Sequence, residues 1–449
     1  NRNSILFWFM VFEVINSKTM NQNKMLLRFL LFCFPWMFIS GCVAYNSGDK
    51  GEIPVREKSA SYKGLIMAGY QGWFNADGDG AGRGWNHYWK NQRLAPGSCK
   101  FDYWPEMSEY PVQYNSPFYF SDGKQATLFS SYDESTVDLH FKWMKEYGID
   151  GVFIQRFVTN LNNPVSYGHN QKVLASAFKA AERHGRILCI MYDLSGIAAG
   201  EETLLMEDWK KLVEQYQLKN ENRLDNYLCH NGKPLVVVWG AGFNDNRKYG
   251  LKEVRTIVDF LKNDSLYGGF SVMLGVPTYW RTLKNDTQSD TLLHTIVRSA
   301  DIVQPWFVGR FNEETYLGFK DLLRDDMAWC KENGPDYVPV VFPGFSWHNM
   351  YPNYPSNQIP RNKGQFYWKQ LAGVLSLGAE MVYVAMFDEI DEGTAIFKCA
   401  HQVPVGESVF VPLDEEIPSD HYLWLTGQAG RMLRKEIPVS AEMPMKTHN

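Results

Sequence analysis

The chain is 449 residues long, and its 45 Lys and Arg against 50 Asp and Glu leave a formal net charge of −5; that length holds one large domain of barrel size with additions, or two ordinary domains. No clustered Lys/Arg stripe is visible, which removes nucleic acid from the expected partners. With 15 Trp, 24 Tyr and 28 Phe the chain carries more aromatic surface than a core of this size requires, and rings left over from the core are suited to stacking on the apolar faces of sugars.

In chain order, the amino end reads as a targeting segment and is kept out of the fold. Met20 opens a leader in which Lys24 and Arg28 supply the positive part, residues 29–38 the apolar part, and Ile39, Ser40, Gly41 and Cys42 a cleavage site of lipobox type. This resembles a bacterial lipoprotein signal with Cys42 as the lipid-bearing residue; the apolar run is short for a bilayer span. Residues 1–42 are therefore assigned to the signal region and 43–60, polar and glycine-containing, to a flexible tether. An extracytoplasmic protein is expected, held to a bacterial membrane by its lipid, on the periplasmic face or the cell surface. The five cysteines beyond the leader and anchor, Cys99, Cys189, Cys229, Cys330 and Cys399, are scattered and show no C-x-x-C, so they indicate neither a zinc site nor a disulfide framework.

From residue 64 the chain alternates between strand-like and helix-like runs. The strand-like runs are 64–74, 151–157, 186–193, 235–239, 271–275, 301–307, 337–343 and 381–387; helical spacing appears over 136–147, 170–184, 202–216, 251–262, 292–299, 317–332 and 364–377. Eight strands with a helix between most neighbours is the count of an α/β fold of one kind, a single (β/α)8 TIM barrel. A doubly wound open sheet is the alternative, but no Gly-rich phosphate turn follows the first strand. Residues 75–130 lack a sustained period and read as a long insertion after the first strand, a loop region over the carboxyl face. The barrel is assigned to 61–400 and residues 401–449 to a short C-terminal extension packing on it, with one closing helix over 421–436.

The eighth run is hydrophobic at nearly every position, as a parallel strand covered on both faces should be, and it ends in Asp388, Glu389, Asp391 and Glu392. Chemistry in α/β barrels gathers at the carboxyl ends of the strands, and glycoside hydrolysis needs two carboxyls, one protonated and one ionised. Two acids at i, i+3 also occur on solvated faces. Here the pair follows a buried strand and precedes Gly393 and Thr394, and crowded like charges raise at least one pKa, as an acid catalyst requires.

Residues 387–396 read Phe-Asp-Glu-Ile-Asp-Glu-Gly-Thr-Ala-Ile. This resembles the strand-eight motif of glycoside hydrolase family 99, the endo-α-mannosidases and endo-α-mannanases, Phe-Asn-Glu-Trp-His-Glu-Gly-Thr-x-Ile. Both glutamates and Gly-Thr are kept; Asp388, Ile390 and Asp391 stand where that family has Asn, Trp and His. Family 71, the fungal α-1,3-glucanases, has a related motif, and 64–398 looks like the group between the two. The resemblance implies a (β/α)8 fold, action on α-linked glycans, and no metal or other cofactor. It aligns Glu392 with the general acid/base and Glu389 with the base that acts on the sugar 2-hydroxyl. On the family 71 relation, Glu389 or Asp388 instead activates a water and inverts the anomeric centre.

Other strand ends supply candidate substrate-binding groups: Tyr70, Gln71 and Trp73; Gln155 and Arg156; Tyr192 and Asp193; Trp239; Trp306 and Arg310; Trp347 and His348; with Asp388 and Asp391 hydrogen-bonding a sugar or tuning the pair. Residues 75–80, Asn-Ala-Asp-Gly-Asp-Gly, imitate half of a calcium loop, but position twelve is Asn86 rather than Glu, so a polar turn is preferred. No His-Glu-x-x-His spacing supports zinc. The expectation is a monomeric, metal-independent glycosidase acting on an oligosaccharide or polysaccharide. Its rivals are a non-catalytic glycan-binding lipoprotein on the same barrel and a metal-dependent sugar isomerase or hydrolase.

Overall fold

The computed structural model describes residues 61–220 and 225–446. The leader, Cys42 and the tether lie outside the described residues. In chain order the elements are β1 (Ile66–Tyr70), β2 (Tyr114–Tyr119), β3 (Gln125–Leu128), α1 (Glu134–Tyr147), β4 (Gly151–Phe157), α2 (Pro164–His184), β5 (Ile187–Asp193), α3 (Glu202–Gln215), β6 (Cys229–His230), β7 (Lys233–Trp239), α4 (Leu251–Asn263), β8 (Ser271–Val276), α5 (Leu292–Ser299), β9 (Ile302–Pro305), α6 (Tyr316–Asn333), β10 (Asp336–Tyr337), β11 (Val340–Val341), α7 (Gln365–Ser376), β12 (Val382–Val384) and α8 (His421–Leu433).

One parallel sheet runs β10-β9-β8-β7-β5-β4-β1-β12-β11, with β6 antiparallel on β7. Its two ends, β10 and β11, are halves of a single stretch split at Pro339, which has no N–H to give to a ladder. Val338 N donates to Val303 O on one side (3.0 Å) and Pro339 O accepts from Tyr383 N on the other (3.0 Å). The sheet therefore curls until that stretch bonds to both β9 and β12, a TIM-barrel-like arrangement with the helices outside. Strands β1, β5, β8 and β12 are buried at every position, which is why their sequences are continuous apolar runs rather than alternating ones. Inside the curl side chains pack onto the backbone: a Cβ on Gly69 would lie 2.2 Å from Tyr383 Oη and 2.3 Å from Met386 Cε, so a larger residue there would have to displace both side chains.

Two expectations need correction. Residues 75–130 are not loop throughout, since β2 and β3 form an antiparallel hairpin within them, turned at Asp122 and Gly123. Helix α2 begins at Pro164, not 170. Asn163 caps it, its Oδ1 accepting from Val165 N (3.1 Å) and Ser166 N (3.0 Å), and proline at the first helical position needs no partner for a missing donor. At the other end α8 lies against α1, where a Cβ on Gly427 would come 1.8 Å from Tyr147 O. Asp150 joins the same corner, accepting from Ile66 N (2.8 Å) and from Arg434 (3.1 Å).

Candidate active site

Strand β12 ends at Val384, and past Ala385, Met386 and Phe387 the chain enters the acid cluster. Asp388 is fully buried, and its two oxygens accept from the backbone N–H groups of Gln71 and Gly72, each at 2.8 Å. Gly72 sits at φ 57° with Val173 2.7 Å from where a Cβ would be, so the β1 exit needs glycine to present both donors. Asp388 is thus a tie between the ends of β12 and β1, and burial, opposed by those two bonds, leaves its pKa raised to about 7.

Glu389 lies next to the same tie. Oε1 accepts from Gln71 Nε2 (2.8 Å) and Oε2 from Thr394 Oγ1 (3.1 Å), while burial first, then the charges of Glu392 and Asp391, push its pKa well above the usual carboxylate range. Thr394 can reach back because Gly393 takes φ 67°; a Cβ there would meet Ser346 N at 2.7 Å and Tyr103 at 3.0 Å. The Gly-Thr pair of the motif therefore has a steric and a hydrogen-bonding reason. Glu392 is the half-buried member of the cluster, its backbone carbonyl held by Ser346 N (2.9 Å), and burial followed by the Asp391 charge raises its pKa to about 8. Asp391 is 2% exposed; burial, opposed by the charge of Lys100, raises it to about 7.

The insertion supplies two residues that the sequence reading missed. His87 places Nδ1 3.1 Å from Asp391 Oδ2 and stacks flat on Trp73 at 3.7 Å and 8°. Asp102 is fully buried and accepts from Ser346 Oγ (2.5 Å), His348 N (2.7 Å) and Asn349 N (2.8 Å), fixing the segment that carries Trp347 and His348. Neither has a local signal: both sit in aperiodic sequence, and their partners lie more than 200 positions away. The calcium-like turn is closed by protein groups instead, because Asp79 accepts from Asn75 Nδ2, Ala76 N, Ala81 N and Ser130 Oγ at 2.7 to 3.1 Å. Among the described residues no group of three or more His, Cys, Asp or Glu is arranged to hold a metal.

The remaining candidates divide. Gln71 and Trp73 stand against the acids as described. Gln155 points into the curl, donating to Tyr383 Oη (3.1 Å), and the Tyr383 hydroxyl feels the charges of both Glu389 and Asp193, so Asp193 shares this mouth. Trp239 packs edge-on against Trp306 (5.6 Å) and lies under the Arg247 guanidinium (5.1 Å), while Arg310 pairs with Asp286 (3.2 Å). Trp347 is 5% exposed, and His348 Nδ1 is engaged by Tyr354 O (2.7 Å).

Three candidates are corrected. Arg156 forms a buried two-point ion pair with Asp208 of α3 (2.6 Å at both nitrogens), and Tyr192 donates to the same carboxylate (2.7 Å). They face outward, joining sheet to helix, because alternate strand residues point to opposite faces. Tyr70 is fully buried with its hydroxyl 2.9 Å from His140 Nδ1, a core contact. A cavity of about 980 Å³ lined by Tyr103, Arg361, Asp414, His421 and Lys446 includes none of the four acids; concentrated, desolvated carboxyls are the stronger mark of chemistry.

No protein-family model matches the chain, and no curated protein does so. Two solved structures of the GH99 endo-α-mannosidase from Bacteroides thetaiotaomicron, one of them with bis-tris propane, align with TM-score 0.59. They are 15% and 16% identical to this chain, and the alignment covers 83% of it and 98% of theirs. At that identity the likeness is one of fold, and it agrees with the family 71/99-like resemblance carried by residues 387–396.

Proposed function

We propose that this protein is a glycoside hydrolase that cleaves an α-linked glycan, of mannan type or a related polysaccharide, on a single (β/α)8 barrel. Glu392 is its general acid/base and Glu389 the partner carboxyl. The observation that carries the reading is the buried acid pair itself: Glu389 is held at both oxygens by Gln71 and Thr394, and Glu392 stands half-buried beside it.

The charge of Glu392 acts on Glu389 in a desolvated site, and two such carboxyls share a proton, since ionising both sets like charges together with little water between them. Within the pair we assign the proton to Glu392, raised to about 8 by burial and the Asp391 charge, because Gln71 and Thr394 donate to Glu389 and favour the ionised form there. Glu392 then gives that proton to the departing glycosidic oxygen. Glu389 draws a proton from the sugar 2-hydroxyl, or from a water that attacks the anomeric carbon. Asp193, Gln71 and the Trp239, Trp306 and Trp347 rings are proposed to line the sugar subsites. The chain is further proposed to act as a monomer outside the cytoplasm, anchored through Cys42 and without a metal.

The test is incubation with α-mannans, α-glucans and pentose-containing glycans, with products followed by NMR. Glu392→Gln and Glu389→Gln should each lower turnover by roughly 10²–10⁴-fold, the usual worth of a positioned acid or base, while glycan binding persists. Wild-type rates in either variant refute the assignment.

A further inference from the structure

His87 belongs to the insertion, 304 positions from its partner, and has no part in the reading above. Its backbone is left-handed at φ 66°, a conformation uncommon for a residue with a Cβ. Its side chain is 26% exposed against 3% for Asp391, so the ring reaches the acids from the rim. Asp391 Oδ1 is buried and takes no hydrogen bond among the described residues, which leaves the contact at Oδ2 to orient the carboxylate.

We propose that His87 is a positioning residue: its neutral imidazole, laid flat on Trp73, donates Nδ1–H to Asp391 and fixes that carboxyl group beside Glu392 and Glu389. The catalytic consequence rests on the glycosidase reading; the bond does not. Burial first, then the charges of Lys100 and Arg83 of the insertion, oppose a positive charge on the ring and lower its pKa well below the usual value; His169 of α2 also faces it. Asp391 is faced by Lys100 and Tyr88 from the insertion and by Asp388, Glu389 and Glu392 from its own turn. His87 therefore acts by orientation rather than by charge. A charged Asp391 keeps the proton on Glu392, and without the Nδ1–H donor Asp391 takes up a proton itself and that influence ends.

His87→Phe keeps a ring on Trp73 and removes the donor; His87→Asn restores an N–H near the Nδ1 position. In His87→Phe the basic limb of the pH–rate profile should move to lower pH by about one unit, the size of a lost neighbouring charge, with kcat reduced more than KM, and His87→Asn should recover most of it. Imidazole ¹⁵N shifts in the full chain read the tautomer without any turnover: Nδ1–H is expected in the wild type and lost in Asp391→Ala. An unmoved limb in folded His87→Phe, or an Nε2–H tautomer in the wild type, overturns the proposal. If Glu392→Gln were fully active the glycosidase reading would fall, and the tautomer would still decide the His87–Asp391 bond.

Discussion

At the scale of single residues, the acids after β12 have different partners and so different work. Asp388 is tied to two backbone N–H groups, Glu389 to a glutamine and a threonine, Asp391 to an imidazole. Their pKa values are nevertheless all raised, to about 7 for Asp388 and Asp391 and about 8 for Glu392, with burial and the neighbouring acids carrying Glu389 above the usual carboxylate range as well. At these four groups the folded protein thus holds protons that the unfolded chain has released, and by linkage the stability they contribute is fully present below the ordinary carboxyl range of about 4 and is lost as pH rises through the folded values. The expected outcome is a Tm that falls between about pH 5 and pH 8, with a shallower slope in Glu392→Gln, which removes one of the contributing groups. A Tm that rises across that window, read by scanning calorimetry, would contradict the raised values.

At the scale of elements, β4, β5 and α3 are locked by the Arg156, Tyr192 and Asp208 triangle. Removing one partner of a buried pair strands the other charge, so Arg156→Ala should lose roughly 3–5 kcal/mol in chemical denaturation. KM of the folded fraction should stay unchanged, and a large rise in KM at full stability would return Arg156 to the sugar site. The error in expecting Arg156 and Tyr192 there has a plain cause. A strand buried on both faces has no polar alternation to mark which side chains point inward. Most element boundaries were legible to within a few residues because helices show a 3.6-residue period and glycines such as Gly148 and Gly185 end them at left-handed φ. The start of α2 was missed although Asn163 and Pro164 spelled it, and the β2–β3 hairpin although Asp122 and Gly123 mark its turn.

At the scale of the whole molecule, the proposed anchor predicts where the protein is found. Cys42→Ser should move it from the membrane fraction to the soluble one without changing its turnover, whereas a variant that stays with the membrane would remove the lipid from the account. Among the described residues no helix is long and apolar enough to cross a bilayer. The sequence by itself determined the parallel α/β succession, from apolar runs separated by amphipathic ones, and the cluster of acids at the end of its last strand, since both are written in contiguous residues. Only the tertiary structure decided that Asp388 ties β12 to β1, that Gln71 and Thr394 hold Glu389, and that His87 reaches Asp391. The reason is physical: a hydrogen bond depends on a few tenths of an ångström between groups that curling of the sheet brings together, and nothing in the local spacing of either partner encodes that distance.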